Sequence, residues 1–451
     1  MAGASDKARF YLEQSVPELR DLERRKLFTH EEITAITRKR SDFEHILCAR
    51  GSTPADYARY ATYESNLLSL TKKRALRLGA KGRSIAHTGQ RRIFFILDRG
   101  TRKFHGDVGL WMQYIEYCQH NKAHKKLLEV FTKCLRLHPM KSGLWIYAAR
   151  WALESQADMS SARSYMQRGL RFCQNDLNLW VQYAKLEMVY IAKIGARHKI
   201  LGLNDVREEK KVDEADDLNA DTIALPDVTA EDVNPRLQDL NAVDETALQN
   251  LASTPALTGA IPLAIFDAAM KQFENDPIIA ETFFDAIAEF DVACRPKLLQ
   301  HIIDHMSHNS PTSVAVMSCE AKLSLVGIEP TSADLPLALG RALQILKAAS
   351  KERPQYRTDF AERAVMVLLP LALVSDELDE DVAKVVYASI RNYIKVLAET
   401  PQKGRDGSGI AKLVAKLRSN GRNSQARAIL EEALKVQGDQ EELQQLLAVV
   451  G

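Results

Sequence analysis

Three tryptophans set the frame for this chain. Trp111, Trp145 and Trp180 stand 34 and 35 residues apart, the period of a unit made of two helices and their turns. Each opens a similar phrase: Trp111-x-x-Tyr114-x-x-Tyr117, Trp145-x-x-Ala148-x-x-Trp151 and Trp180-x-x-Tyr183-x-x-Leu186-Glu187. A fourth, Tyr57-x-x-Tyr60-x-x-Tyr63-Glu64, precedes them. Residues three apart share a helix face, so each phrase is the aromatic stripe of one helix. A second amphipathic helix follows most of them, as in Lys126–Leu135 before Pro139, Ala162–Leu170, and Arg92–Gly100. One such hairpin cannot enclose its own aromatic face, whereas stacking hairpins buries the rings between neighbours. The expectation is an all-α superhelical solenoid of stacked antiparallel helix pairs. Its repeat core holds Tyr57, Tyr60, Trp111, Tyr114, Trp145, Trp151, Trp180 and Tyr183. Rings at a fixed helical period read as packing rather than as a platform for stacking bases.

The rhythm continues, weaker, through the second half. Ala264–Met270, ending at Asp276-Pro277, and Ser424–Leu434 read as second helices of a pair, and Pro277, Pro311, Pro330, Pro354 and Pro401 punctuate at hairpin distances. Only 21 glycines and 15 prolines among 451 residues, and no period-two alternation, argue against sheets. The 46% of hydrophobic residues supports an extensive core. The expected organisation is a helical docking or capping segment at 1–50 and a repeat array at 51–203 with a basic insertion at 72–92. An acidic linker at 204–250, expected to be disordered, and a second repeat array at 251–451 follow.

Overall charge is +2, but it is unevenly placed. Residues 72–103 carry net +10, with Asp98 as their one acid, and residues 104–203 carry +7; residues 204–250 carry −10. Ten uncompensated positive charges in 32 residues form a surface for phosphate or for an acidic protein segment, and charge alone does not separate the two. The candidate contact residues are Lys72, Lys73, Arg74, Arg77, Lys81, Arg83, Arg91 and Arg92. The other readings of this stretch are a solvated surface loop and an import signal.

Enzyme patterns fail in turn. Gly404-Arg405-Asp406-Gly407-Ser408-Gly409 is followed by Ile410-Ala411 where a phosphate loop needs Lys and then Ser or Thr, so it reads as an inter-helix loop. No nucleophile elbow, H-E-x-x-H or dinucleotide fingerprint occurs. His301, Asp304, His305 and His308 share a helix face, and Cys118, His120, His124, Cys134 and His138 cluster in sequence; both sets read as structural rather than metal-binding. Six cysteines without a C-x-x-C pair suit buried thiols in a reducing compartment. The most apolar run, Val365–Val374, is too short to span a bilayer and contains Pro370. The expectation is a soluble, intracellular, non-catalytic protein with no cofactor, no metal, no small-molecule substrate and no membrane partner.

The Trp-x-x-Tyr helix followed by a second helix and a proline resembles the half-a-TPR (HAT) repeat of RNA-processing assemblies. The N-terminal stretch is more particular: Val16-Pro17-Glu18-Leu19-Arg20-Asp21-Leu22-Glu23, Leu27-Phe28-Thr29-His30-Glu31-Glu32-Ile33, Lys39-Arg40-Ser41-Asp42-Phe43-Glu44 and Arg50-Gly51-Ser52-Thr53-Pro54-Ala55-Asp56-Tyr57. These are similar to the HAT-repeat U3 small nucleolar RNA-associated family of the UTP-B subcomplex. The resemblance is good over residues 10–190 and only general beyond 250; Ala148 stands where the repeat has Tyr. It implies a nuclear, nucleolar scaffold of the small-subunit processome, acting in pre-18S rRNA processing and 40S ribosome biogenesis. It further implies β-propeller partners and U3 small nucleolar RNA or pre-ribosomal RNA within the assembly. The alternative is a HAT-repeat scaffold of pre-mRNA splicing or 3′-end processing.

Overall fold

The computed structural model describes residues 4–79, 83–200, 258–374, 378–399, 409–419 and 423–437. Every regular element among them is a helix, so the described protein is all-α. Backbone contacts divide the chain into two units, Met1–Ala148 and Ala149–Gly451. The acidic stretch 204–250 and the loop residues 404–408 lie outside the described residues.

The first unit contains α1 (Ala4–Glu13), α2 (Val16–Arg24), α3 (His30–Cys48), α4 (Pro54–Arg77), α5 (Arg83–Lys103), α6 (Val108–His120), α7 (His124–Leu137) and the start of α8 (Ser142–Ser155). Pro17 sits in the first turn of α2, where an N–H has no helical partner to lose. Thr29 and Glu32 form a capping box at the head of α3: the Thr29 N–H donates to Glu32 Oε2 (2.9 Å), and the Glu32 N–H donates to Thr29 Oγ1 (3.3 Å). Thr53 and Asp56 cap α4 in the same way, with Pro54 in its first turn. Leu19, Leu22, Leu27, Phe28, Ile33 and Ile36 then pack with Ala75 of α4 into one apolar cluster. α2, α3 and the turn between them therefore cover α4 near its C-terminal end.

The segment 72–92, read from the sequence as an insertion, is helical on both sides of residues 80–82. It contains the last turns of α4 and the first of α5, and these helices, of 24 and 21 residues, are much longer than the 13 and 14 of α6 and α7. That extra length accounts for the wide step from Tyr57 to Trp111. The two helices run antiparallel and close together: Gly89 meets Leu68, and Gly100 meets Tyr57.

The turns repeat along with the tryptophans. The N–H groups of Phe104, His138 and Cys173 each donate to the carbonyl four residues back, at 2.8, 2.9 and 2.8 Å. Three residues on, Asp107, Lys141 and Asp176 donate back to Phe104, His138 and Cys173, each at 3.2 Å. The indole N–H of the tryptophan that follows then reaches six residues back. Trp111 donates to His105 O (3.0 Å), Trp145 to Pro139 O (2.8 Å) and Trp180 to Gln174 O (2.9 Å). The tryptophan is thus both an apolar plug and a clamp on the turn before its own helix. Of the eight ring positions expected in the core, Tyr57, Tyr60, Trp111, Tyr114, Trp145, Trp151 and Tyr183 are buried and Trp180 is half-buried.

In the second unit, α9 (Met159–Phe172) and α10 (Leu177–Ile200) are followed by α11 (Ala260–Gln272), α12 (Pro277–Ala288), α13 (Arg295–Asn309), α14 (Val314–Leu325) and α15 (Leu335–Glu352). α16 (Arg357–Leu373), α17 (Glu380–Glu399), α18 (Gly409–Ser419) and α19 (Asn423–Gln437) complete it. α10 packs on α11 and α12, with Lys185 on Glu289 at 2.6 Å. The same two-bond turn recurs at Phe273, Ser310 and Arg353. Glu281 of α12 is buried and receives hydrogen bonds from Ser318 (3.1 Å) and Lys322 (3.0 Å) of α14, with Arg363 of α16 at 2.9 Å. A buried carboxylate with three donors is satisfied and fixes the register of those helices. The apolar run at 365–374 lies in and just beyond α16, and no helix among the described residues is long and apolar enough to cross a membrane.

Candidate functional site

The basic residues of α4 and α5 fall into two sets. Arg74 and Arg92 are engaged within the chain. Arg74 makes two bonds to Glu32, both 2.8 Å, donates to Leu27 O (3.0 Å) and lies over the Phe28 ring at 4.5 Å. Arg92 donates to Glu18 at 2.8 Å and is largely buried. Behind them, Arg40 bonds Glu64 through two contacts, 2.7 and 2.9 Å, and Arg99 bonds Glu44 at 2.7 Å beneath the Tyr11 ring. Acids of the first 50 residues thus neutralise part of the positive charge contributed by α4 and α5.

Lys72, Lys73, Arg77 and Arg91 form the other set. They are exposed and have no ion pair among the described residues. Lys81 lies outside the described residues, as does the side chain of Arg83. So the structure places four of the eight candidates on the surface with charge available, and ties two others into the fold.

One cleft adjoins this surface. It has a volume of about 530 Å³ and lies between the α2–α3 turn and the end of α4. Leu27 and Phe28 form its floor, Glu32 and Arg74 one wall, and Lys26, Arg77 and Leu78 its rim. Glu32 is held well below the usual carboxylate range, at about 2, chiefly by its hydrogen bonds from Arg74. Its charge is therefore fixed and already matched. Lys26, exposed and at φ 56, was missed from the sequence. The signal lies in its place directly after a helix end, in the basic run Arg24-Arg25-Lys26.

A second cleft, about 560 Å³, lies in the other unit between Pro277–Ile278, residues 309–314 and Tyr356–Arg363. Its arginine, Arg363, is bound to Glu281, and nearby Arg353 donates to the Pro311 and Thr312 carbonyls. Of the histidine set, His301 pairs with Asp267 of α11 at 2.9 Å and His305 lies edge-on to Phe266. Among the described residues, no group of three or more His, Cys, Asp or Glu is placed to hold a metal ion. Cys118 and Cys134 are buried thiols, and burial pushes each up to about 12.

Helix pairs joined by recurring turns, with a basic-rimmed cleft in the first unit, define the described protein as all-helical. Residues 12–93, which include the cleft and its ion pairs, match the model of the family described as U3 small nucleolar RNA-associated protein 6. The chain is 35% identical to U3 small nucleolar RNA-associated protein 6 of Schizosaccharomyces pombe over 287 residues, covering 60% of this chain and 58% of that protein. It is 35% identical to the human homolog over 185 residues, 41% of this chain and 31% of the human one. The Dictyostelium discoideum homolog shares 24% over 218 residues. The chain is thus related to the U3 small nucleolar RNA-associated protein 6 family, and the matched stretches span about three-fifths of the yeast relative and a third of the others.

Proposed function

We propose that this chain is a non-catalytic scaffold subunit of the U3 small nucleolar ribonucleoprotein, the small-subunit processome, acting in pre-18S rRNA processing in the nucleolus. The observation that carries this reading is the match of residues 12–93 together with 35% identity over 287 residues to a U3-associated relative. The recurring tryptophan clamp and turn support a HAT-type array, in which stacked hairpins offer an extended surface for several partners at once. In this reading the array docks β-propeller subunits of the UTP-B subcomplex, and Lys72, Lys73, Arg77 and Arg91 meet an anionic partner, RNA or acidic protein. The stretch 1–50 is a docking element as well as a cover for α4. Affinity purification of the full chain, with quantification of co-purifying RNA, tests it. Enrichment of U3 small nucleolar RNA with propeller proteins is expected. Enrichment of splicing or polyadenylation factors instead would replace the reading with a pre-mRNA scaffold.

A further inference from the structure

We propose that the cleft between the α2–α3 turn and the end of α4 is a docking site for an acidic, leucine-type amphipathic segment of a partner protein rather than for RNA. The proposal rests on reading the chain as a scaffold and names the partner chemistry of its cationic face.

Charge complementarity selects an anion. Lys26 and Arg77 stand on the rim with no ion pair among the described residues. On α4, Leu70, Lys73 and Arg77 follow at i, i+3 and i+7, so one exposed stripe leads into the cleft. The negative groups in the cleft do not cancel this charge. Glu32 is matched by two bonds from Arg74, and Glu23, bonded to His30 Nδ1 at 2.9 Å, leaves one carboxylate against the two cations Lys26 and Arg77.

Apolar character then selects protein over nucleic acid. Leu78 is 59% exposed at the rim and Leu70 42% exposed along the stripe, while Leu27 and Phe28 close the floor. Leucines gain by meeting another aliphatic side chain, and offer no face for a base to stack on. The one aromatic ring in the cleft, Phe28, is already covered by the Arg74 guanidinium. A peptide can aim separate carboxylates at Lys26 and Arg77 and place an apolar side chain between them.

The test uses the full chain and three probes: a helical peptide with a leucine face edged by glutamates, an oligoglutamate of equal charge, and a single-stranded oligouridylate. The leucine–glutamate peptide is expected to bind tightest. The Arg77→Glu variant should weaken it by about tenfold or more, and Leu78→Ser should weaken it while leaving oligoglutamate binding unchanged. A peptide with lysines replacing its glutamates should regain binding to Arg77→Glu. Arg77 and Leu78 are exposed, and unchanged helical circular dichroism verifies folding. Equal binding of the peptide by native chain and Arg77→Glu overturns the proposal. So does tighter binding of oligouridylate with the same sensitivity at Arg77, which assigns the cleft to RNA. Peptide binding that survives in a chain failing to enrich U3 RNA would overturn the processome reading and leave this one standing.

Discussion

Arg40 of α3 and Glu64 of α4 meet through two parallel hydrogen bonds, 2.7 and 2.9 Å, with the two side chains 1% and 2% exposed. Arg163 of α9 and Glu187 of α10 make the same two-bond contact at the same sequence separation, 24 residues, in the other unit. In both cases the Glu closes the aromatic phrase of the first helix. At matching offsets around Trp111 and Trp145 the chain has Phe94 with Cys118 and Leu128 with Ala152, which carry no charge. Removing one partner of a buried pair strands the other, at a cost of about 3–5 kcal/mol. Arg40→Leu is therefore expected to destabilise the first unit by that order, seen as faster amide exchange in α3 and α4. The double variant Arg40→Leu with Glu64→Leu should recover most of the loss. Arg163→Leu should cost less, because Arg163 is more exposed than Arg40.

The Glu32–Arg74 pair gives a pH dependence with a definite sign. Hydrogen bonds from Arg74, then from the Thr29 backbone, hold Glu32 at about 2 in the fold against an ordinary value of 4.5. A depressed carboxyl contributes stability that is fully present above the unfolded value and is lost as pH falls through the folded one. The stability difference between the native chain and Glu32→Gln should thus be constant above about pH 4.5 and shrink toward nothing near pH 2. Denaturant melts at several pH values measure it. A difference that grows on acidification would contradict the assignment. Because the pair is partly open to solvent, the effect is modest.

Thiol labelling separates the six cysteines. Cys118, Cys134, Cys173, Cys294 and Cys319 are buried, and burial raises each thiol above its ordinary range. Cys48 is half-buried at the end of α3 and is also raised by burial. Alkylation of the native chain at mildly alkaline pH, read by peptide mass spectrometry, should modify Cys48 first. The other five should label only with unfolding. Rapid native labelling of Cys118 or Cys134 would contradict the packing of α6 and α7.

What the sequence disclosed follows from how far apart the interacting residues are. The tryptophan period and the aromatic stripe of each phrase depend on spacings of a few residues or on a repeat, and both were legible. The fate of the basic residues was not. Arg74 meets Glu32 from 42 residues away and Arg92 meets Glu18 from 74, so no local count of charge distinguishes them from Lys73 or Arg77. The indole bonds were hidden for a different reason. Spacing puts Trp111, Trp145 and Trp180 on the packed faces of their helices, but the carbonyl each one clamps is set by the turn geometry alone.

Three glycines in helices make the last prediction, because the same substitution should act in different directions. A methyl at Gly100 would stand 2.9 Å from Tyr57 Cδ1 and 3.0 Å from Leu110 Cδ2, against rings and branches that are buried on all sides. Neither neighbour can yield cheaply, so Gly100→Ala should destabilise α4–α5–α6 by about 1–3 kcal/mol of overpacking, reduced by up to about 1 kcal/mol of helix propensity. At Gly89 the close atom is Leu68 Cδ1, at 2.7 Å, the end of a side chain that can rotate, so Gly89→Ala should fall nearer neutral. Gly340 in α15 is exposed with nothing within 4 Å, and Gly340→Ala should stabilise its helix by about 0.5–1 kcal/mol. Amide exchange within each affected helix measures the three separately. If Gly100→Ala proves as benign as Gly340→Ala, the close approach of α5 to Tyr57 is refuted.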